Sequence, residues 1–439
     1  MRISLRRPLL GALALGLASS AVAAPAQSAN RPSKDASSWL AGQLQDGLVV
    51  TESEWGTFTN YGASLDILFV LDELDLRAAT RAEILDAIEP RVDEYISYEG
   101  TVYAGPAGKL LAAVQAAGIA PAEYGDGDLV ETLTARVVTE GDQAGRATDG
   151  PGDDYSNTLG QGWVVRALAV AGDPLAGSAA EFLLEQQCDA GFFRESMGDA
   201  SSADPATFAC DTAEDEPSVD ATALAVLSLR AAQRAGVPGL GDDIRDAVSW
   251  LRKVQRRNGS FVGNGVPNTN STGLAASVLS TTRWKGAAGT AAAWLAKHQV
   301  TTRRAAGNAL EGEVGAVAYD RPALVAGQQD GISGADAPQW ILATAQSAVG
   351  LESLLPKARL VVKAPARAQR GEDVRVKVKG LAAGERWTLR LGKKKAAGGW
   401  ANRRGVAVTE ATMTKAGKVR LKAKGSRAVR SGVDVVRVR

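Results

Sequence analysis

The stretches FLLEQQCDAGFF (Phe182 to Phe193) and WLRKVQRRNGSF (Trp250 to Phe261) decide the fold. Laid one on the other, they share an aromatic-leucine pair, a glutamine, a glycine and a closing phenylalanine: Phe182-Leu183, Gln187, Gly191 and Phe193 in one, Trp250-Leu251, Gln255, Gly259 and Phe261 in the other. Each is followed by a second matching phrase, PSVDATALA (Pro217 to Ala225) and PNTNSTGLA (Pro267 to Ala275), and only the loop between the two phrases differs in length. Each copy therefore reads as a helix end, a glycine-aromatic turn and the start of a second helix. A unit repeated in this way buries its apolar face only by stacking on its neighbours, so the pattern predicts packed helical hairpins.

Working outward from these copies gives six helical pairs. The first runs from Trp39-Leu40 through Gly47 to a helix over Gly62 to Leu74, the second covers Ile84 to Gly118 and the third Leu129 to Ala171. The fourth holds the long loop, the fifth ends near Thr282 and the sixth runs from Trp294-Leu295 to Leu354. Second helices such as GKLLAAVQAAG (Gly108 to Gly118) and GQGWVVRALAVAG (Gly160 to Gly172) carry alanine or glycine on several sides, as helices packed all round must. First helices carry the charge, for example Asp242, Asp243, Arg245, Arg252 and Lys253, and belong outside. Six inner helices ringed by six outer ones make an (α/α)6 toroid over residues 36-355, in a chain that is mainly α.

After Leu355 the composition changes. Pro356-Lys357 reads as a linker, and beyond it strict alternations such as Val374, Val376, Val378 and Trp387, Leu389, Leu391 predict a small all-β sandwich of immunoglobulin-like type over residues 358-439. That segment holds 23 Lys and Arg against 5 Asp and Glu, a balance of +18, which leaves 27 basic against 44 acidic residues elsewhere, a balance of −17. A near-neutral chain thus joins an acidic toroid to a basic β-domain. The basic domain is expected to hold an anionic cell-wall polymer or to dock on the toroid. Nucleic acid is not expected as a partner, because no aromatic-basic interleaving marks a base-stacking platform.

Residues 1-29 read as a signal peptide with a short mature extension: Arg2, Arg6 and Arg7 precede an apolar run, Leu9 to Leu17, and Ala21-Val22-Ala23 offers a small-residue cleavage site. SLRRPLL (Ser4 to Leu10) loosely resembles a twin-arginine signal, so either export route fits. The composition, rich in Ala, Arg, Gly and Asp, suggests a high-GC, actinobacterial-type source. No later segment is apolar and long enough for a transmembrane helix, and a secreted or wall-associated protein is expected. In that compartment Cys188 and Cys210, which flank the one oversized loop, are expected to pair as a disulfide.

The phrases Q-x-x-x-G-x-aromatic and P-x-x-D-x-T-x-L-A resemble the QW-type repeats of terpenoid cyclases and protein prenyltransferases, a toroid fold also used by cobalamin carriers and thioester domains. The resemblance covers residues 36 to 355 and implies the fold; each activity it could imply has a residue requirement. Class II cyclases protonate an alkene with the middle aspartate of D-x-D-D, whereas this chain has Ser218-Val219-Asp220-Ala221, which keeps only Asp220. Asp220 is expected instead to cap its helix, as Asn270 does in the equivalent place. Prenyltransferases need a zinc ion held by Asp, Cys and His, and with His298 the sole histidine and two paired cysteines no metal or cofactor site is expected. The thioester sequence C-G-E-Q is absent. For a carbohydrate-active enzyme of this fold, Asp153-Asp154 and Asp220 are the candidate carboxylates.

A possible ligand site remains. Near the starts of the inner helices a polar residue interrupts the apolar run, at Asp66, Lys109, Gln161, Thr222, Thr272 and Gln346, and these are expected to converge at the mouth of a central funnel. Parallel helix N-termini would favour an anionic or hydrogen-bonding group there. Trp55, Phe58, Tyr61, Tyr155, Trp163 and Trp340 are the candidate walls. The expectation is a non-catalytic binding protein for a small or partly apolar ligand, a peptide or a polymer end; the alternatives are a terpene cyclase-like enzyme using Asp220 and a carbohydrate-active enzyme.

Overall fold

A computed structural model describes residues 31-53, 56-151, 153-198, 201-202, 207-211, 214-354, 360-381, 385-402, 405-426 and 431-439. The signal segment, the linker at Pro356-Lys357 and Trp55 lie outside the described residues.

The chain winds through six hairpins. They pair α1 (Arg31–Ala41) with α2 (Tyr61–Glu73), and α3 (Ala78–Ile88) with α5 (Ala104–Ala116), the short α4 (Val92–Ile96) lying between these last two. Next come α6 (Leu129–Thr134) with α7 (Thr158–Ala171), α8 (Ala176–Glu185) with α9 (Val219–Ala235), and α10 (Gly241–Val254) with α11 (Thr269–Ser280). The sixth joins α12 (Lys285–Leu295) to α15 (Ala337–Leu351) through α13 (Thr302–Ala305) and α14 (Arg321–Asp330). The inner helices α2, α5, α7, α9, α11 and α15 pack side by side in that order, and α15 returns to α2, which closes the ring. One outer helix runs back between each inner pair, so all six inner helices point the same way.

Glycine sets how closely the inner helices approach. A Cβ on Gly108 of α5 would stand 2.9 Å from the backbone nitrogen of Val164 in α7, and one on Gly273 of α11 would stand 2.2 Å from the carbonyl oxygen of Gln346 in α15.

The repeated Gln and Gly hold one hairpin to the next. Gln187 donates to the carbonyls of Gly191 and Asp243, Gln255 to those of Gly259 and Ala287, and Gln299 to those of Gly315 and Pro32. The first carbonyl of each pair lies in the hairpin's own turn and the second at the next outer helix, so Gln299 ties the last hairpin to α1. The turn glycines have positive φ (92° at Gly191, 98° at Gly259, 114° at Gly315), and a Cβ on any of them would come within 2.8 Å of the neighbouring helix's backbone oxygen. Only glycine meets both conditions.

The turns leading into the inner helices carry short ribbons: β1 (Leu44–Gln45), β2 (Leu48–Ser53) and β3 (Gly56–Thr59) before α2, β4 (Ser97–Tyr98) and β5 (Thr101–Val102) before α5, and β6 (Phe261–Gly263) and β7 (Val266–Asn268) before α11. Before α9 the long loop is stapled by the Cys188–Cys210 disulfide, with a Cα separation of 4.8 Å. Arg194 organises that loop, donating to Gln186, to the carbonyls of Thr207 and Phe208, and to Asp215.

The C-terminal strands form two sheets around one apolar core. One has the order β13 (Val406–Thr412), β10 (Asp373–Lys379), β8 (Val361–Lys363). The other has the order β12 (Lys394–Trp400), β11 (Arg386–Leu391), β14 (Gly417–Gly425), β15 (Ser431–Val438), β9 (Arg367–Ala368), with β9 parallel to β15 and the remaining pairs antiparallel. Val374, Val376 and Val378 of the first sheet meet Trp387, Leu389, Leu421 and Val436 of the second.

Candidate functional site

The residues near the inner-helix starts divide into two sets that face opposite ways. In the first, a side-chain oxygen accepts from a backbone N–H of the turn before its helix: Ser64 from Val49 (2.9 Å), Gln161 from Ala147 (2.8 Å), Thr222 from Phe193 (2.9 Å), Thr272 from Phe261 (3.0 Å) and Thr344 from Val317 (2.8 Å). These side chains are buried and pin the turns. Two residues farther along each helix comes the second set: Asp66, Trp163, Leu224, Leu274 and Gln346, which line a central lumen. Lys109 of α5 joins it through an ion pair of 2.6 Å with Asp66. Two residues turn an α-helix through about 200°, so the two sets point away from each other.

The expected convergence of six side chains is therefore corrected. Asp66, Lys109 and Gln346 lie at the lumen, whereas Gln161, Thr222 and Thr272 face the turns. Among the expected walls Trp163 lines the lumen; Tyr155 is 65% exposed in the turn before α7, and Trp340 is buried.

The helix caps shift as well. Ser218 caps α9 by accepting from Ala221, and Asn268 caps α11 by accepting from Ser271, so neither Asp220 nor Asn270 is the cap. Asp220 lies instead in a polar cleft of about 390 Å³ at the N-terminal end of α9, with Glu195, Asp215, Glu216 and the β6–β7 turn. Burial, reinforced by Glu195, raises its carboxyl above the usual carboxylate range, against a contribution from Ser271 that lowers it. Asp154, one of the candidate acids before α7, is engaged by Arg146 at 3.1 Å and accepts from the backbone of Asp149 and Ser156. His298 is buried against Trp294, with ring centroids 4.0 Å apart.

The lumen has a volume of about 230 Å³ and runs from the Asp66 level toward the C-terminal ends of the inner helices, the end opposite to the expected one. Each lining helix contributes one stripe, for example Leu224, Leu227, Arg230 and Arg234 of α9. Lys109 closes the floor: its ammonium meets Asp66, donates to the carbonyl of Gly62 at 2.9 Å and stands 5.9 Å from the Trp163 ring centroid. Above it Phe69 and Trp163 stack with centroids 4.9 Å apart, bridging α2 and α7. Leu224, Leu227, Leu274 and Val349 complete an apolar wall.

Three arginines line the upper lumen, together with Asp72 and Glu73. Arg166 lies over both aromatic rings, 5.1 Å from the Phe69 centroid and 5.4 Å from that of Trp163. Arg230 donates to the carbonyl of Val278 and to the hydroxyl of Thr281, and Arg234 stands at the mouth. Among the described residues none of these three guanidiniums is within ion-pair distance of a carboxylate, although Asp72 and Glu73 line the same space. Burial lowers the pKa of Arg166, opposed by Glu73 and Asp72, and burial followed by the charge of Arg234 lowers that of Arg230. An anion placed among these groups would relieve both burdens. The expected sites did not include these three arginines; the signal that marks them is their spacing of three, four or seven residues from the lumenal positions on α7 and α9.

Among the described residues, Cys188, Cys210 and Asp215 form a candidate metal-ligating cluster, and the disulfide consumes two of its three donors. No helix of the described residues is long and apolar enough to cross a membrane.

No protein-family model matches the chain, and no curated protein matches it in sequence. Solved structures do match in fold. A protein from Actinoplanes is 16% identical with a TM-score of 0.50, covering 73% of this chain and 98% of its own. The type II terpene cyclase MstE from Scytonema is 13% identical with a TM-score of 0.50, covering 73% of this chain and 96% of its own, and a variant of it was solved with its substrate, geranylgeranyl dihydroxybenzoate. The toroid is thus the fold found in terpene cyclases, and identities this low speak for fold alone.

Proposed function

We propose that this is a non-catalytic binding protein of the cell exterior, whose lumen takes the apolar end of a short amphipathic anion and whose Arg166, Arg230 and Arg234 hold the anionic group. The observation that carries this reading is the pairing of a stacked aromatic wall with three guanidiniums that have no carboxylate within ion-pair distance among the described residues. A desolvated arginine recognises a carboxylate or phosphate bidentately and stacks on aromatic faces, which suits the position of Arg166. The volume of about 230 Å³ falls below the roughly 300–1,000 Å³ of sites that enclose drug-sized ligands, so a short chain or chain end fits better than a whole polyprene. The disulfide and the export signal read from residues 1-29 support an extracellular setting. The strand order, with the first strand divided between the two sheets, supports the immunoglobulin-like reading of the C-terminal domain.

The terpene cyclase reading is disfavoured by place. Asp220 lies one helical turn nearer the N-terminal end than Leu224 and lines a different cleft, so a chain held in the lumen would not present an alkene to it. The test is calorimetric titration of the full-length protein with decanoate and with geranylgeranyl dihydroxybenzoate. Saturable decanoate binding that Arg166→Gln weakens about tenfold is expected, the loss of roughly one charge-assisted pair. Absence of binding, or affinity unchanged in Arg166→Gln, refutes the proposal. Conversion of the isoprenoid to cyclic product, lost in Asp220→Asn, would establish the enzyme instead.

A further inference from the structure

The cations of the C-terminal domain lie on both sheets, and on one of them no outward carboxylate stands among them within the strands β11, β12, β14 and β15. In the five-stranded sheet the outward residues include Arg386 and Arg390 of β11, Arg420, Lys422 and Lys424 of β14, and Arg437 of β15, and the strand registers place Arg390 beside Lys422 and Arg386 beside Trp400 of β12. The one acidic residue within β11, β12, β14 and β15 is Asp434, which alternates with the outward Val433 and Val435 and accepts from the Ala364 N–H at 2.9 Å. The opposite sheet is mixed: Lys363, Arg375, Lys377 and Lys379 face outward, but Asp373 lies on the same strand and Glu410 stands opposite Arg375 in the register. A face with cations on alternate residues of adjacent strands forms a grid, at spacings of about 4.8 Å between strands and roughly 7 Å along them.

At one edge of this face lies a groove of about 350 Å³ lined by Arg386, Trp387, Thr388, Lys395, Gly398, Gly399 and Trp400. Trp400 is 72% exposed on the edge strand β12, beside the outward Arg386. Trp387, only 4% exposed, packs into the core between the two sheets, and among the described residues its buried indole Nε1–H meets no acceptor. Gly398 keeps the outward side of the strand bare beside Trp400; a Cβ there would stand 3.5 Å from Cε of Lys395 and 3.7 Å from Cγ2 of Thr388.

We infer that this groove binds a sugar unit of an acidic polysaccharide, with the cationic face holding the rest of the chain. Each feature answers one part of such a ligand. The Trp400 ring offers a flat apolar surface for the face of a pyranose, and Arg386 and Lys395 offer charge to its carboxylate or ester-linked anion. A nucleic acid would use the same cations, but its bases stack on successive aromatics, and this face has one exposed aromatic ring.

The site is separate from the lumen, so the two proposals stand or fall independently. The test is affinity electrophoresis and titration of the full-length protein against polygalacturonate, neutral dextran and duplex DNA. Retention by polygalacturonate and none by dextran is expected, with binding weakened by added salt as counterions compete. Trp400→Ala should weaken polygalacturonate binding about tenfold, and Trp400→Phe should restore most of it. Both variants should leave decanoate binding and the melting temperature unchanged. Failure to bind polygalacturonate, equal binding by Trp400→Ala, or tighter binding of DNA than of the polysaccharide would overturn the inference.

Discussion

Replacing Thr222 by valine separates the two roles that its place in the sequence allows. The Thr222 hydroxyl is fully buried, accepts from the Phe193 N–H at 2.9 Å and donates to the Ser218 carbonyl at 2.6 Å. Valine has nearly the same shape, so Thr222→Val opens no cavity; it leaves a buried N–H without an acceptor, at a cost of about 1–3 kcal/mol. With an unfolding entropy of about 2.1 cal/mol/K per residue, a cooperative toroid of roughly 320 residues loses about 1.5–4.5 °C in melting temperature for that cost. Thr272→Val removes the equivalent bond to Phe261 in the next hairpin, and the two losses should add because they share no partner. The assay is calorimetric melting of the wild type, both single variants and the pair, with Thr222→Ser as a control that keeps the hydroxyl. A Thr222→Val melting temperature within 0.5 °C of wild type, together with altered decanoate binding, would return Thr222 to the lumen and refute the assigned register.

Three further outcomes follow from named contacts. Because burial raises the Asp220 carboxyl, the native state binds more protons than the unfolded chain, and stability falls as pH rises from the ordinary carboxylate range, about 3.9, through the raised value; Asp220→Asn should lessen that fall in pH-dependent melting, and an identical profile would contradict the burial assigned to it. Gly273→Ala drives a Cβ against the Gln346 carbonyl and should destabilise the toroid by about 1–3 kcal/mol or more, measured by urea unfolding; a neutral substitution would mean that α11 and α15 do not approach as closely as described. Thiol titration of the unfolded, unreduced protein should find no free cysteine, and Cys188→Ser with Cys210→Ser should cost about 3 kcal/mol for releasing a loop of 22 residues; two titratable thiols would disprove the bond.

The hairpin repeat was legible in the sequence because its conditions are local. A glutamine four residues before a positive-φ glycine meets the same backbone geometry in each complete copy, so Gln187-Gly191 and Gln255-Gly259 stand out as text. The equivalent pair in the last hairpin, Gln299 and Gly315, is separated in sequence by the inserted α13, though in space the two residues make the same bonds and close the ring. Period-two alternation and a charge balance of opposite sign marked off the β-domain for the same reason: each is a property of consecutive residues. The site depended on what consecutive residues do not carry. Thr222 and Leu224 sit two positions apart in similar company, and which of them faces the lumen depends on how α9 is rotated against its neighbours. That rotation is set by glycine contacts between helices and by the bonds that pin each turn. The convergence of Arg166 with Arg230 and Arg234, and the placing of Arg386 and its neighbouring cations beside Trp400 on one sheet face, were likewise decided by tertiary packing, which alone brings distant stretches of the chain to the same place.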